Sequence, residues 1–196
     1  MNSKTWVVVF LGWLAISCDS DQRRFFSPEW EIQNSNTSAS LRGLSVVDNN
    51  IAWASGQFGT ILRTVDAGQT WEKKTIPGTD SVDFRDIEAF SDQLAYVLSA
   101  GSPAYIFKTE NGGSSWVKQW EDTLPNIFLE GITFWDQDQG MVMGDPIDKT
   151  FKLLKTTNGG QEWLPVLMRG RALQPNSGEA GFAASGTNIV TQGRNC

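Results

Sequence analysis

One eight-residue pattern, met three times at nearly constant spacing, restricts this chain more than anything else in it. Thr64-Val65-Asp66-Ala67-Gly68-Gln69-Thr70-Trp71, Thr109-Glu110-Asn111-Gly112-Gly113-Ser114-Ser115-Trp116 and Thr156-Thr157-Asn158-Gly159-Gly160-Gln161-Glu162-Trp163 share one reading. Each runs Thr, any residue, Asp or Asn, any residue, Gly, two more residues, then Trp. The three tryptophans, at 71, 116 and 163, advance by 45 and 47 residues. A period of that size marks a repeat architecture, in which each unit is one supersecondary element that needs a neighbour to bury its apolar face.

The chemistry of the pattern is that of a tight turn. The short Asp66, Asn111 or Asn158 side chain accepts hydrogen bonds from amides just downstream. Gly68, Gly113 and Gly160 permit the positive φ that a hairpin needs. Trp71, Trp116 and Trp163 then open a returning strand with a large apolar ring. Burying such a ring is worth up to ~4–6 kcal/mol at ~25 cal/mol per Å². A calcium loop would need about five or more oxygen ligands, and each copy holds far fewer carboxylates.

Upstream of each copy the apolar residues alternate at the strand period. Leu44-Ser45-Val46-Val47 reads as an innermost strand, Asp48-Asn49-Asn50 as its turn, and Ile51-Ala52-Trp53-Ala54 as the return. Gly56-Gln57-Phe58-Gly59 turns again, and Thr60–Thr64 leads into the motif. The second unit repeats this with Ile87-Glu88-Ala89-Phe90, Leu94–Val97 and Tyr105–Thr109; the third uses Ile132–Trp135, Met141–Met143 and Lys152–Thr156. The expectation is an all-β chain.

The three copies resemble Asp-box (BNR) repeats, which occur in sialidases, the sortilin luminal domain, xyloglucanases and the photosystem II stability/assembly factor family. That resemblance implies a β-propeller of four-stranded blades. The sequence carries three blades and a fragment, the fragment opening at Gly181-Phe182-Ala183-Ala184-Ser185 after a loop over 168–177. Propellers close with about four to eight blades. An incomplete propeller, the N-terminal part of a longer protein, is therefore expected over residues 30–196. Trp30-Glu31-Ile32-Gln33 matches the residues after each motif tryptophan and is read as an outermost strand whose own blade lies elsewhere in the ring.

Residues 1–17 read as an export signal, with Lys4 before an apolar run from Trp6 to Ile16 that is too short to span a bilayer. Leu14-Ala15-Ile16-Ser17-Cys18 resembles the lipobox of bacterial lipoproteins. Cys18 would then be the lipidated first residue, residues 18–29 a tether, and the protein a membrane-anchored lipoprotein of the cell envelope. A secretory signal followed by a structural Cys18 is the alternative.

Composition removes several chemistries. The chain of 196 residues has a formal net charge of −6, so a general nucleic-acid partner, which needs a basic face, is not expected. It contains no His and two widely separated Cys, which excludes His-dependent triads, His-ligated metals and a CxxC redox or zinc motif. No cofactor or metal is expected.

The candidate site is the end of the propeller opposite the Asp-box turns. Arg42, Arg85 and Glu130 align as entries to the inner strands, with an acid near Glu179 as a fourth. Asp86, Asp145 and Asp148 complete a face that would bind a polar partner, or whose charges would simply pair with one another. Arg63, Lys108 and Lys155, each just before a motif Thr, read as solvated outer-strand positions. Gln57-Phe58 is either an exposed contact or filler between blades. The resemblance to the photosystem II stability/assembly factor family implies an exported binding or assembly module without catalysis, acting on an envelope protein or glycan. The alternative is a glycoside hydrolase of the sialidase or xyloglucanase type, with Asp86 and Asp145 facing each other across a channel and other groups in further blades.

Overall fold

A computed structural model describes residues 29–181, 188–193 and 196. The chain divides at residue 32 into two units. Of the first, residues 29–32 are described, and Trp30 and Ile32 are almost fully exposed. No strand forms at residues 29–32, where an outer strand was expected. The export signal, Cys18, most of the tether and residues 182–185 lie outside the described residues.

From Gln33 onward the chain builds three four-stranded antiparallel sheets, each a meander in sequence order. Blade 1 comprises β1 (Leu41–Val46), β2 (Ala52–Gly56), β3 (Thr60–Thr64) and β4 (Glu72–Lys74). Blade 2 comprises β5 (Asp83–Ala89), β6 (Ala95–Ala100), β7 (Ala104–Thr109) and β8 (Val117–Asp122). Blade 3 comprises β9 (Leu129–Phe134), β10 (Gly140–Ile147), β11 (Thr150–Thr156) and β12 (Leu164–Pro165). The region read as loop over 168–177 contributes to a small hairpin, β13 (Leu167–Met168) with β14 (Arg171–Ala172). Its turn residues Arg169 and Gly170 both take positive φ, the backbone geometry that returns a strand after two residues.

The Asp-box closes on itself. Thr64 Oγ1 donates to Asp66 Oδ1 (2.8 Å) and accepts from Gly68 N–H (2.9 Å), while Thr70 N–H donates to Asp66 Oδ1 (2.9 Å). Thr109 and Thr156 repeat the first two bonds with Asn111 and Gly113 and with Asn158 and Gly160. Ser115 and Glu162 N–H repeat the third. The Thr opening the motif is thus the hub of the turn, and all three are buried.

Strand alternation sends one set of side chains to each neighbouring blade. On β6, Ala95 and Val97 join a cluster with Trp53 and Ile61 of blade 1, whereas Tyr96 and Leu98 join one with Ile132 and Phe134 of blade 3. Trp116 meets Trp53 of the preceding blade edge-on, and Trp163 meets Phe134 of its own blade edge-on within the cluster that joins blades 2 and 3. Polar staples complete the joints: Ala89 N–H to Ser45 Oγ (3.0 Å), Trp53 Nε1–H to Ser91 O (3.0 Å), and Tyr96 O–H to Gly159 O (2.9 Å). Beyond blade 3, Asn188 and Thr191 lie along β9, where Thr191 O–H donates to Phe134 O (2.6 Å).

Candidate functional site

At the end of the blades opposite the Asp-boxes, the inner strands begin with charge. Arg42 enters on β1 and Arg85 on β5, and both turn to Asp83, at 3.8 and 3.6 Å. Two guanidiniums thus share one carboxylate, at distances longer than a charge-assisted hydrogen bond. Arg42 Nε and Arg85 Nε are buried without an acceptor. The Arg85 guanidinium also lies 5.5 Å from the Phe128 ring centroid, which fixes its plane. Asp83 was missed in the sequence; Arg85 reaches it from an irregularity of β5, where the register shifts between Phe84 and Asp86.

Glu130 and Asp145 form the other half of the face. Glu130 is 1% exposed, accepts from Asn188 Nδ2 (2.9 Å) and touches Asp145, which accepts from Gly181 N–H (3.1 Å). Burial and the neighbouring Asp145 raise the Glu130 pKa well above the usual carboxylate range, against the nearby Arg85 charge. A hydrogen-bonded carboxyl pair of this kind is stable when it retains one proton.

Asp86 does not join that face, and Asp148 and Glu179 lie in turns of their own. Asp86 is buried: its Oδ2 accepts from Ile132 N–H (2.9 Å) and its Oδ1 from Ile87 N–H (2.9 Å), joining blades 2 and 3. Burial pushes its pKa up to about 7 despite both bonds. It is a joint, not a surface group, because β9 packs against it and supplies the Ile132 N–H that its carboxylate accepts. Asp148 sits with Lys149 in the β10–β11 turn, both at positive φ, and makes no ion pair among the described residues. Glu179 accepts from Asn176 N–H (2.7 Å) inside its own turn.

The basic stripe is not simply solvated. Arg63 donates to Asp92 O in blade 2 (2.8 Å), pairs with Glu72 (2.9 Å) and stacks over Trp53. Lys108 lies over Tyr96 and Lys155 over Trp135. A long stem covering an aromatic ring while the charged head reaches a neighbour explains the shared position better than solvation does.

Residues 22–127 match the family described as photosynthesis system II assembly factor YCF48, more than half of the chain. The chain belongs to that family. It is 25% identical over 138 residues to the photosystem II assembly lipoprotein Ycf48 of Synechococcus sp. strain CC9902, covering 70% of this chain and 40% of that protein. A solved structure of YCF48 bound to D1 peptide superposes with a TM-score of 0.58 at 22% identity, covering 74% of this chain and 45% of the other. YCF48 from Cyanidioschyzon merolae superposes with 0.52 at 22%, covering 67% and 41%. The chain thus spans less than half the length of these YCF48-family relatives, and the shared architecture is the Asp-box propeller.

Proposed function

We propose that this chain is part of an assembly module that binds a protein partner through the Arg42–Asp83–Arg85 face and has no catalysis of its own. The observation that carries the reading is the incomplete pairing of two guanidiniums on one carboxylate. Each Arg can present a planar fork of donors to a carboxylate, and here neither fork is used in full. A carboxylate of a partner polypeptide fits that surplus. The YCF48 relative solved with a D1 peptide supports a polypeptide rather than a glycan as the partner class.

The hydrolase alternative gains no support from the carboxylates. Asp86 is buried between blades, and Glu130 and Asp145 touch, whereas glycoside hydrolysis sets its two carboxyl groups about 5 Å or more apart to admit the sugar. The proposal includes export and a lipid on Cys18, which a Cys18→Ala chain would show by moving from the detergent phase to the aqueous phase.

The binding test is charge reversal. Arg42→Glu with Arg85→Glu should weaken capture of an acidic peptide at least ~30-fold, the loss of two charge-assisted contacts. Unchanged affinity in a folded double variant would place the partner elsewhere.

A further inference from the structure

The turn between β2 and β3 carries an aromatic that folding does not call for. Thr60 N–H donates to Gln57 O (3.2 Å), and Phe58 and Gly59 between them take φ of +59° and +62°. Such turns favour Asn, Asp or Gly at the first of these positions, because a Cβ in left-handed backbone crowds its own chain. Blade 3 uses the same left-handed pair at its β10–β11 turn with polar Asp148 and Lys149. Phe58 instead puts a bulky ring on disfavoured backbone and leaves it 66% exposed. A lone exposed apolar side chain is ordinary; one that also strains its turn calls for a reason outside the fold.

The turn is pinned on both flanks to the charged face. Gln57 N–H donates to Ser40 O (3.1 Å), two residues before Arg42, and Gly59 N–H donates to Val82 O (2.8 Å), the residue before Asp83. Leu41, 41% exposed, pairs with Gly56 at the foot of the same turn. Phe58 is thereby held in place between the two segments that supply Arg42, Asp83 and Arg85. A rigid aromatic with few rotatable bonds, beside unsatisfied cations, is the composition of an interface anchor.

We propose that Phe58 is the apolar anchor of this face, and that the partner is an extended peptide carrying a carboxylate with an apolar side chain a few residues from it. This rests on the Arg42–Arg85 reading above and adds the second element of recognition. The alternative occupant, a sugar stacked on the ring, is decided by the same experiment.

The test uses the full chain and fluorescein-labelled Gly/Ser peptides bearing Glu alone, Leu alone, or Glu and Leu together, read by anisotropy. The Glu-plus-Leu peptide should bind tightest. Phe58→Asn should lower its affinity about tenfold, to the level of the Glu-only peptide, and should raise the melting temperature because Asn suits the turn. A Phe58→Asn chain that melts lower and binds as before would show a structural residue and overturn the anchor. Loss of all binding on Arg42→Glu and Arg85→Glu, with Phe58→Asn indifferent, would overturn the anchor alone and leave the charged face standing. Binding lowered by Phe58→Asn but untouched by the Arg reversals would overturn the charged face, and with it the carboxylate of the partner, and leave Phe58 as a contact. Capture of a xyloglucan oligosaccharide through Phe58, with no peptide bound, would overturn the peptide class.

Discussion

Leu44 in blade 1, Ile87 in blade 2 and Ile132 in blade 3 hold the same position on the inner strand, yet they are 66%, 2% and 1% exposed. Leu41 and Val46 differ in the same way from Phe84 and Ala89 and from Leu129 and Phe134. The strands carry one pattern; what differs is whether a preceding blade stands against them. On blade 1 that side instead borders a cavity of about 270 Å³ lined by Leu44, Val46, Ile51, Trp71 and Gln33. Gln33 covers part of that side. Its amide donates to Ala67 O (3.1 Å) and accepts from Trp71 Nε1–H (3.1 Å). Burial in a repeat fold is thus a property of the pair of blades, and equal residues can have unequal worth.

Truncations should break or sustain that contrast most sharply. Trp163→Ala should cost about 3–5 kcal/mol and Ile132→Ala about 2–5, whereas Trp71→Ala and Leu44→Ala should each cost less than about 1. Urea denaturation of the four chains measures this. Equal losses at Trp71 and Trp163 would mean that the first blade is covered in solution.

The next effect is titration. Burial raises Asp86 and Glu88 to about 7, while blade 1 has the uncharged Gly43 and Ser45 at the matching positions. An acid whose folded pKa is raised binds more protons folded than unfolded between the two values. Its stabilising contribution is therefore complete below about pH 4 and is lost as the pH rises to about 7. Melting temperature should accordingly fall between about pH 4 and pH 7, by ~2–4 °C for each kcal/mol lost. Glu88→Gln should flatten part of that slope; a profile rising over the same range would refute the buried placement.

The smallest effect belongs to the substitute contact. Gln33→Ala should lower global stability by less than about 1 kcal/mol, and should speed amide exchange locally at residues 67–70. A cooperative loss across blades 1 and 2 would mean that Gln33 carries more than one turn.

Much of the architecture was legible because the Asp-box is satisfied within itself. Thr64, Asp66, Gly68 and Thr70 bond one another inside a single turn, so the pattern implies the hairpin wherever it occurs. The face was legible only in part. Arg42, Arg85, Glu130 and Asp145 do gather at one end, but Asp83, to which both cations turn, gave no signal of its own. Asp86 next to Arg85 looks equally polar in sequence, and only the approach of β9 makes it a buried acceptor. Arg63 and Lys108 look solvated for the same reason: the rings and the turn carbonyl they meet lie on other strands.

By itself, then, the order of residues determined the turn chemistry, the strand period and the three four-stranded sheets, because those depend on contacts a few residues apart. Which apolar faces are dry, which charges pair and which carboxyls hold a proton were decided by how blades stack. Dielectric and hydrogen-bond supply at a side chain come from whatever surface is brought against it, often forty or more residues away along the chain.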